Sequence, residues 1–468
     1  MSTVQQKQFF DLRPGTCPKG LSILRKANGE VLALVAAARR RVFLLVWSLA
    51  QLQRNLEAPL VESWNTSELP IEQYLQGGHE IVGVVSLYTQ AKDQTLCYLL
   101  IATACMSEGP HFGRSSDETD HALPTLVLFI TEFKSQKFHL HNDVKQIALD
   151  YLPIHLSSMR VPHAGGTTQC FMVTGHDKSI HFYSFSEHGL VGETAVSAGI
   201  IECIFPAPKR ILTSDTKYFD TKQIVAFGCD SGDISLTVFS DGFKESTLYK
   251  ALLDGPISSI CIFSCSAASP LSDFQDPVAP RPTSLKVQTL LRAMHQALPP
   301  PRHDESDVHL LVCGALGYAV VYWSVLTHGL KKGSLLTSYD DSAMDSITCG
   351  IACDVNHDGW NELVLGTYCK RLLVFCRAQP PADAKNGVDG HEDKSRASPY
   401  SLLETVVAPY PVTHIIQGVP AGSPVSFLFV LDVFSLTVMQ ASPSCLETNL
   451  RQRLERLECI RHLLSLTK

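Results

Sequence analysis

Along most of the chain, short apolar runs alternate with polar positions and end in turns of small or acidic residues, the period-two pattern of half-buried β-strands. Many runs come in pairs: an apolar strand, a turn, then a second strand ending in an aromatic. CFMVTGHDKSIHFYSF (170–185), QIVAFGCDSGDISLTVF (223–239), HLLVCGALGYAVVYW (309–323) and ELVLGTYCKRLLVF (362–375) are the clearest. In each, a glycine (Gly175, Gly228, Gly314, Gly366) follows the first strand and starts the turn. Seven such units centre on residues 20–47, 79–133, 144–185, 199–239, 255–323, 345–375 and 411–439. A small antiparallel sheet of this kind cannot bury its faces alone, so the repeat predicts blades stacked in a ring. The expected fold is all-β: a seven-bladed β-propeller over 1–442, then a C-terminal α-helix over 443–468. A two-sheet sandwich is the alternative, but it does not require one hairpin repeated at fairly even spacing.

Three stretches interrupt the repeat, 107–123, 264–307 and 378–398, all rich in Pro, Ser, Gly and charge; they read as surface insertions. Within the second, residues 284–298 carry Leu285, Leu290, Leu291, Met294 and Leu298 at helical spacing, either a partner-docking helix or one lying back on its own blade. After Met439 the period changes. Ser444 and Glu447 form a capping box, and Leu446, Leu450, Leu454, Leu457, Ile460 and Leu464 follow at intervals of three and four. The opposite face mixes Arg451, Arg453, Arg456 and Arg461 with Glu455 and Glu458, which suits a partner helix or an intramolecular groove better than an anionic membrane.

Composition narrows the classes. Forty-five per cent of residues are hydrophobic and 18% charged, enough for a large core, and a net charge of −7 leaves no electrostatic footprint for nucleic acid. The fifteen cysteines lie singly in apolar runs, as Cys97, Cys203 and Cys313 do, which fits free buried thiols in the reducing cytoplasm. Cys261/Cys265 and Cys349/Cys353 sit in alternating strand patterns rather than on zinc knuckles. The opening residues lack the build of a secretory signal, and no transmembrane segment is expected. The nearest approach, 31–52, is broken by Arg39, Arg40 and Arg41, which fit the turn of a hairpin between 31–36 and 42–47.

The sharpest local motif is Asp354-Val-Asn356-His-Asp358-Gly359-Trp360-Asn-Glu362. Oxygen donors at alternate positions, a glycine for the turn and a carboxylate at the ninth position can wrap a hard cation, so Asp354, Asn356, Asp358 and Glu362 are candidate calcium ligands. An Asx-rich turn that stays metal-free is the other reading. Gly228-Cys-Asp230-Ser231-Gly232-Asp233 superficially matches a serine-protease nucleophile segment, but no partner histidine or aspartate motif accompanies it, and it falls where a hairpin turns. No phosphate-binding glycine loop, zinc-protease helix or hydrolase elbow occurs, and His176 and His181 read as structural. The expectation is a protein that is not an enzyme and carries no cofactor beyond the candidate calcium. A propeller enzyme with a metal at its central channel would need convergent ligands from several blades, and one acidic loop gives it little support.

Several segments together resemble the kaptin family: ALLDGPISSICIFSCSAA (251–268), GYAVVYWSVLTHGL (317–330), ELVLGTY (362–368) behind the acidic loop, TGHDKSIHFYSFSEHGL (174–190) and AFGCDSGDISL (226–236). The acidic loop itself is similar to the calcium loop of FG-GAP repeats in integrin-type propellers. The resemblance implies a scaffold subunit of the KICSTOR complex, which holds the GATOR complex on the lysosome and restrains TOR signalling when amino acids or glucose are scarce. It implies as partners the other KICSTOR subunits, among them a second FG-GAP-type propeller, and a cytoplasmic protein peripheral at the lysosomal membrane. The alternative function it brings is association with actin filaments of lamellipodia and sensory projections. No catalytic residues come with it. The chain departs from the family pattern at Gly418-Val-Pro420-Ala-Gly422-Ser-Pro-Val-Ser426, where a second acidic loop is expected and no carboxylate stands, and in the length of the 264–307 insertion.

Overall fold

The computed structural model describes residues 4–441 except 14, 26–30, 51–60, 76–77, 92–93, 106–122, 135–136, 142–143, 164–165, 187–188, 195–208, 220, 241–242, 267–306, 337–344, 378–398 and 420–425. The expected helices over 284–298 and 443–468, and most of each insertion, lie outside the described residues.

Seven antiparallel sheets follow one another along the chain. Blade 1 is Thr16–Arg25, Val31–Ala38, Arg41–Ala50 and Val61–Leu69. Blade 2 begins at His79–Ala91, blade 3 at Pro153–His163, blade 4 at Ile211–Phe219, blade 5 at Ile257–Phe263, blade 6 at Ile347–Cys353 and blade 7 at Val412–Gly418. Each sheet is a meander whose first strand lies innermost, and successive first strands pack on one another around a central channel. Blade 7 takes its outer strand from the start of the chain: Val4–Asp11 pairs with Ser435–Ala441, from Val4 opposite Ala441 to Asp11 opposite Ser435. The two ends of the propeller are thereby tied together, which closes the ring and removes the exposed edge an open stack would leave.

The apolar pattern follows from this stacking. Second strands are covered on both faces by neighbouring blades, so Val31–Ala38 is buried at every residue and reads as a continuous apolar run. Outer strands such as Glu245–Leu252 and Tyr400–Val407 alternate with exposed positions, which is why the sequence units stopped short of them. One assignment is corrected. Lys145–Ala148 was expected to open the third unit, but it pairs with Thr125–Lys134 on the outside of blade 2. Its mostly exposed side chains carry no periodicity to say which blade it joins. The arginine turn stands as expected: Arg39 and Arg40 join the two strands, with Arg39 paired to Glu80 at 2.7 Å and Arg41 to Glu68 at 2.6 Å.

Every first strand is irregular near its start, at Thr16/Leu21, Ile81/Gly83, Pro153/His155, Ile211/Thr213, Ile257/Ser259, Ile347/Cys349 and Val412/His414. A bulge twists the strand and re-aims the residues after it, here into the channel. In blades 5 to 7 the extra residue is hydroxylated. Ser258, Thr348 and Thr413 donate to Cys313 O, Gly366 O and Leu431 O at 3.1, 3.0 and 3.1 Å, supplying carbonyls that the broken ladder leaves short. Two of the sequence glycines serve the same joint. Gly228 and Gly366 lie within their strands rather than at the turn, and a Cβ there would sit 2.4 Å from Ile257 Cγ2 and 2.6 Å from Val412 Cγ1 of the next blade.

Candidate functional site

The meander gives the ring two different faces. The turns between second and third strands, and the links from one blade to the next, lie on one, here the hairpin face. The other, the loop face, carries the connections from first to second strand.

On the loop face of blade 6, residues 354–361 join Ile347–Cys353 to Glu362–Thr367. His357 (φ 62°) and Gly359 (φ 94°) are left-handed and fold the loop back on itself. The backbone N–H groups of Gly359, Asp358, Trp360 and Val355 donate to Asp354 Oδ2, Asn356 Oδ1, Asp358 Oδ1 and Glu362 Oε2 at 2.9, 2.8, 2.8 and 3.0 Å. The Asn356 amide nitrogen donates to both Asp358 Oδ2 (3.2 Å) and Glu362 Oε1 (2.8 Å). All four sequence-predicted ligands therefore converge. Glu362 is only 1% exposed, and burial, with the Asp358 and Asp354 carboxylates beside it, pushes its carboxyl up to about 9. The donor set fits calcium: oxygens only, with a buried carboxyl that burial and its acidic neighbours push up and that added positive charge would bring down. Calcium bound there would supply that charge; Asp354, Asp358, Glu362 and the Asn356 amide oxygen would hold it.

The loop also grips its neighbour. Trp360 forms a bridge with Ser266, Asn361 N–H donates to Cys265 O at 2.8 Å and its amide to Ser264 O at 2.9 Å, and Tyr400 Oη donates to Asn361 O at 2.7 Å. These contacts fasten the root of the 267–306 segment. Beside them Cys265, Asp307 and His309 come within metal-ligand distance of one another. Their hydrogen bonds decide against a metal. Ser324 N–H donates to His309 Nδ1 at 2.9 Å, which places the ring proton on Nε2, 3.3 Å from Asp307 Oδ1. A neutral imidazole has one lone pair, already engaged, and burial pushes the Cys265 thiol up to about 11. Asp307 instead accepts from Ser264 Oγ and Cys265 N–H, pinning the two stems of the insertion together.

The mouth of the channel on the hairpin face holds a group that sequence reasoning missed. In blade 1, residues 17–20 leave the ladder between Thr16 and Leu21; a Cβ on Gly20 would lie 2.8 Å from the carbonyls of Ala37 and Cys17, so the excursion is tight. It carries Lys19 across the mouth, where Nζ donates to Leu212 O of blade 4 and lies 3.0 Å from His155 Nδ1 of blade 3. His155 Nε2 is 2.8 Å from Ser214 Oγ, which donates to Ser157 Oγ at 3.0 Å. His414 of blade 7 accepts from Leu21 N–H on Nδ1 at 3.4 Å. Burial pushes Lys19 down to about 7 and His414 down to about 4, and holds His155 well below the usual histidine range. The channel beneath encloses about 840 Å³.

The hairpin face also exposes apolar side chains: Leu152, Leu252, Leu316, Tyr368 and Val407 are 42% to 79% exposed, all in turns or strand ends on that side. The protease-like segment is a hairpin turn there, with Gly232 left-handed (φ 86°) and Ser231 Oγ donating to Asp233 Oδ2 at 2.6 Å. His181 lies between Glu193 and Asp177 at 2.8 and 3.1 Å and stacks on Tyr151, a structural role. Cys97 and Cys313 are buried free thiols, and Cys203 lies outside the described residues. The partner-binding candidates Leu446, Leu450, Leu454, Leu457, Ile460 and Leu464 lie outside them as well. Among the described residues no helix is long and apolar enough to cross a membrane.

A closed ring of seven meander blades with an oxygen-donor loop in blade 6 defines a seven-bladed β-propeller. The chain belongs to the family of the KICSTOR complex protein kaptin, whose model matches residues 4–451. It is 25% identical over 280 residues to the KICSTOR complex protein kaptin of mouse, an alignment that covers 58% of this chain and 57% of the mouse protein, little more than half of each. Among solved structures, the crystal structure of BBS1N in complex with ARL6DN, soaked with mercury, superposes with a TM-score of 0.43 at 10% identity, over 95% of this chain and 98% of that one. A superposition that loose adds nothing to the argument.

Proposed function

We propose that this protein is a non-enzymatic scaffold subunit of a KICSTOR-type complex, which helps recruit the GATOR complex to lysosomes and restrains TOR signalling when amino acids or glucose run short. The observation that carries the reading is the family match, which runs through all seven blades. The apolar side chains on the hairpin face and the heptad-like leucines after residue 443 are consistent with it, since both offer surface for other subunits, a second propeller among them. In this reading the protein is cytoplasmic and peripheral at the lysosomal membrane. Calcium in the Asp354–Glu362 loop is proposed to be structural, clamping the root of the 267–306 segment rather than sensing a signal.

The test is affinity purification from starved and fed cells, with mass spectrometry of what is retained. Recovery of KICSTOR and GATOR subunits with the intact chain, and their loss when Leu450, Leu454 and Leu457 are changed to Asp, supports the scaffold role and the docking segment together. Unchanged recovery with the triple variant removes the docking segment. Absence of those subunits with the intact chain, and saturable co-sedimentation of the purified protein with actin filaments, would replace the scaffold reading by the filament one.

A further inference from the structure

The channel mouth brings three basic groups together, and among the described residues none of them is hydrogen-bonded to a carboxylate. Lys19 arrives from blade 1, His155 from blade 3 and His414 from blade 7, and all three line the cavity. Among the described residues Asp215 is the one carboxylate lining that cavity, and its oxygens are engaged elsewhere: Oδ2 accepts from Ile262 N–H at 2.7 Å and Oδ1 lies 3.8 Å from Lys217 Nζ. Among the described residues around the mouth, Lys19 meets the Leu212 carbonyl, His155, His414 and the thiol of Cys17, which itself donates to Val82 O at 2.8 Å. Burial strips water from all three, and Lys19 adds a smaller repulsion on the two histidines, so the mouth holds its protons weakly.

The hydrogen bonds describe how the site waits. With Lys19 donating to His155 Nδ1, the ring proton sits on Nε2 and points to Ser214 Oγ, and the Ser214 hydroxyl donates to Ser157 Oγ. A neutral Lys19 amine has two protons, enough for Leu212 O and His155, and on protonation it gains a third donor. We propose that this mouth binds a small phosphate monoester, its dianion held by Lys19, His155 and His414 beside the hydroxyls of Ser157 and Ser214. A dianion matches a site able to gain more than one charge, and a tetrahedral head with several acceptor oxygens matches donors arriving from separate blades. The body of the ester enters the channel, whose 840 Å³ is of the size that holds metabolites, past the hydroxyls of Ser22, Ser86 and Ser259.

Sulfate tests the site cleanly because it keeps its charge across the neutral range, so any pH dependence belongs to the protein. Calorimetry of the full chain with sodium sulfate in two buffers of different ionisation enthalpy should show proton uptake on binding at pH near 7, where Lys19 titrates. Above that pH the affinity should fall about tenfold per unit for each proton taken up. Glycerol phosphate should bind at least as tightly as sulfate. Lys19→Met should lower either affinity about tenfold or more and cut the proton uptake at pH near 7; His414→Gln, which keeps an acceptor for Leu21 N–H, should weaken binding with its thermal melt unchanged. Millimolar sulfate and glycerol phosphate giving no heat, or binding that ignores both pH and the two substitutions, overturns the proposal. Equal binding of acetate overturns the phosphate assignment, as does flotation with phosphatidic acid vesicles without glycerol phosphate binding.

Discussion

The two faces of this propeller solve opposite electrostatic problems in the same way. On the loop face, Asp354, Asp358 and Glu362 gather, and burial, with the two neighbouring carboxylates, pushes Glu362 up to about 9. At the hairpin-face mouth, Lys19, His155 and His414 gather, and burial holds each below its ordinary value, Lys19 at about 7 and His414 at about 4. A buried cluster of one sign is relieved either by a ligand of the other sign or by a proton, and the proton moves first. The two faces therefore report on their ligands with opposite pH slopes. Glu362 rises from 4.5 to about 9, so its contribution to stability is whole below 4.5 and lost as pH climbs to 9. Lys19 falls from 10.5 to about 7, so its contribution is whole above 10.5 and lost as pH drops through 7.

The comparison breaks most visibly at Glu362. Glu362→Ala removes the acceptor of Val355 N–H and one of the two acceptors of the Asn356 amide, which keeps Asp358 Oδ2, and each buried donor left unmet costs about 1–3 kcal/mol, read as a lower urea midpoint. Saturating calcium comes next. At a hundredfold excess over its dissociation constant it should stabilise the protein by about 2.7 kcal/mol at pH 8, seen as a raised melting temperature. Glu362→Gln should erase that calcium response while making the calcium-free protein more stable than the parent at pH 9. An effect of the same order is expected at the other face: Lys19→Met should flatten the loss of stability between pH 9 and pH 6 by about 3 kcal/mol in denaturant titrations. His414→Gln should move the same curve by only about 0.5 kcal/mol or less.

The two faces were also unequally legible in the sequence. The acidic loop is local: five residues of alternating oxygen donors, a glycine and a nearby glutamate, so spacing alone brought Asp354, Asn356, Asp358 and Glu362 together. The second and third strands of the blades were legible for a related reason, because burial on both faces makes runs such as 31–36 and 223–229 almost wholly apolar. The mouth is not local. Lys19 meets residues 155, 212 and 414, contacts that exist only because the ring closes, and in the sequence Cys-Pro-Lys-Gly reads as a turn. One trace of it was readable: Ile257-Ser258, Ile347-Thr348 and Val412-Thr413 repeat an aliphatic residue followed by a hydroxyl at the start of successive first strands, the mark of the bulge that aims residues at the channel. Outer strands such as Lys145–Ala148 stayed ambiguous because an exposed edge has no apolar side to reveal its register.

The most direct test of this opposition is a set of thermal melts of the full chain at pH 6.5 and pH 9, each with calcium chloride, sodium sulfate or sodium chloride at matched ionic strength. Calcium should raise the melting temperature more at pH 9, where Glu362 is ready to ionise, and sulfate should raise it more at pH 6.5, where Lys19 takes its proton. Equal stabilisation by both salts at both pH values, or none beyond sodium chloride, would contradict the account of two oppositely charged sites on the two faces.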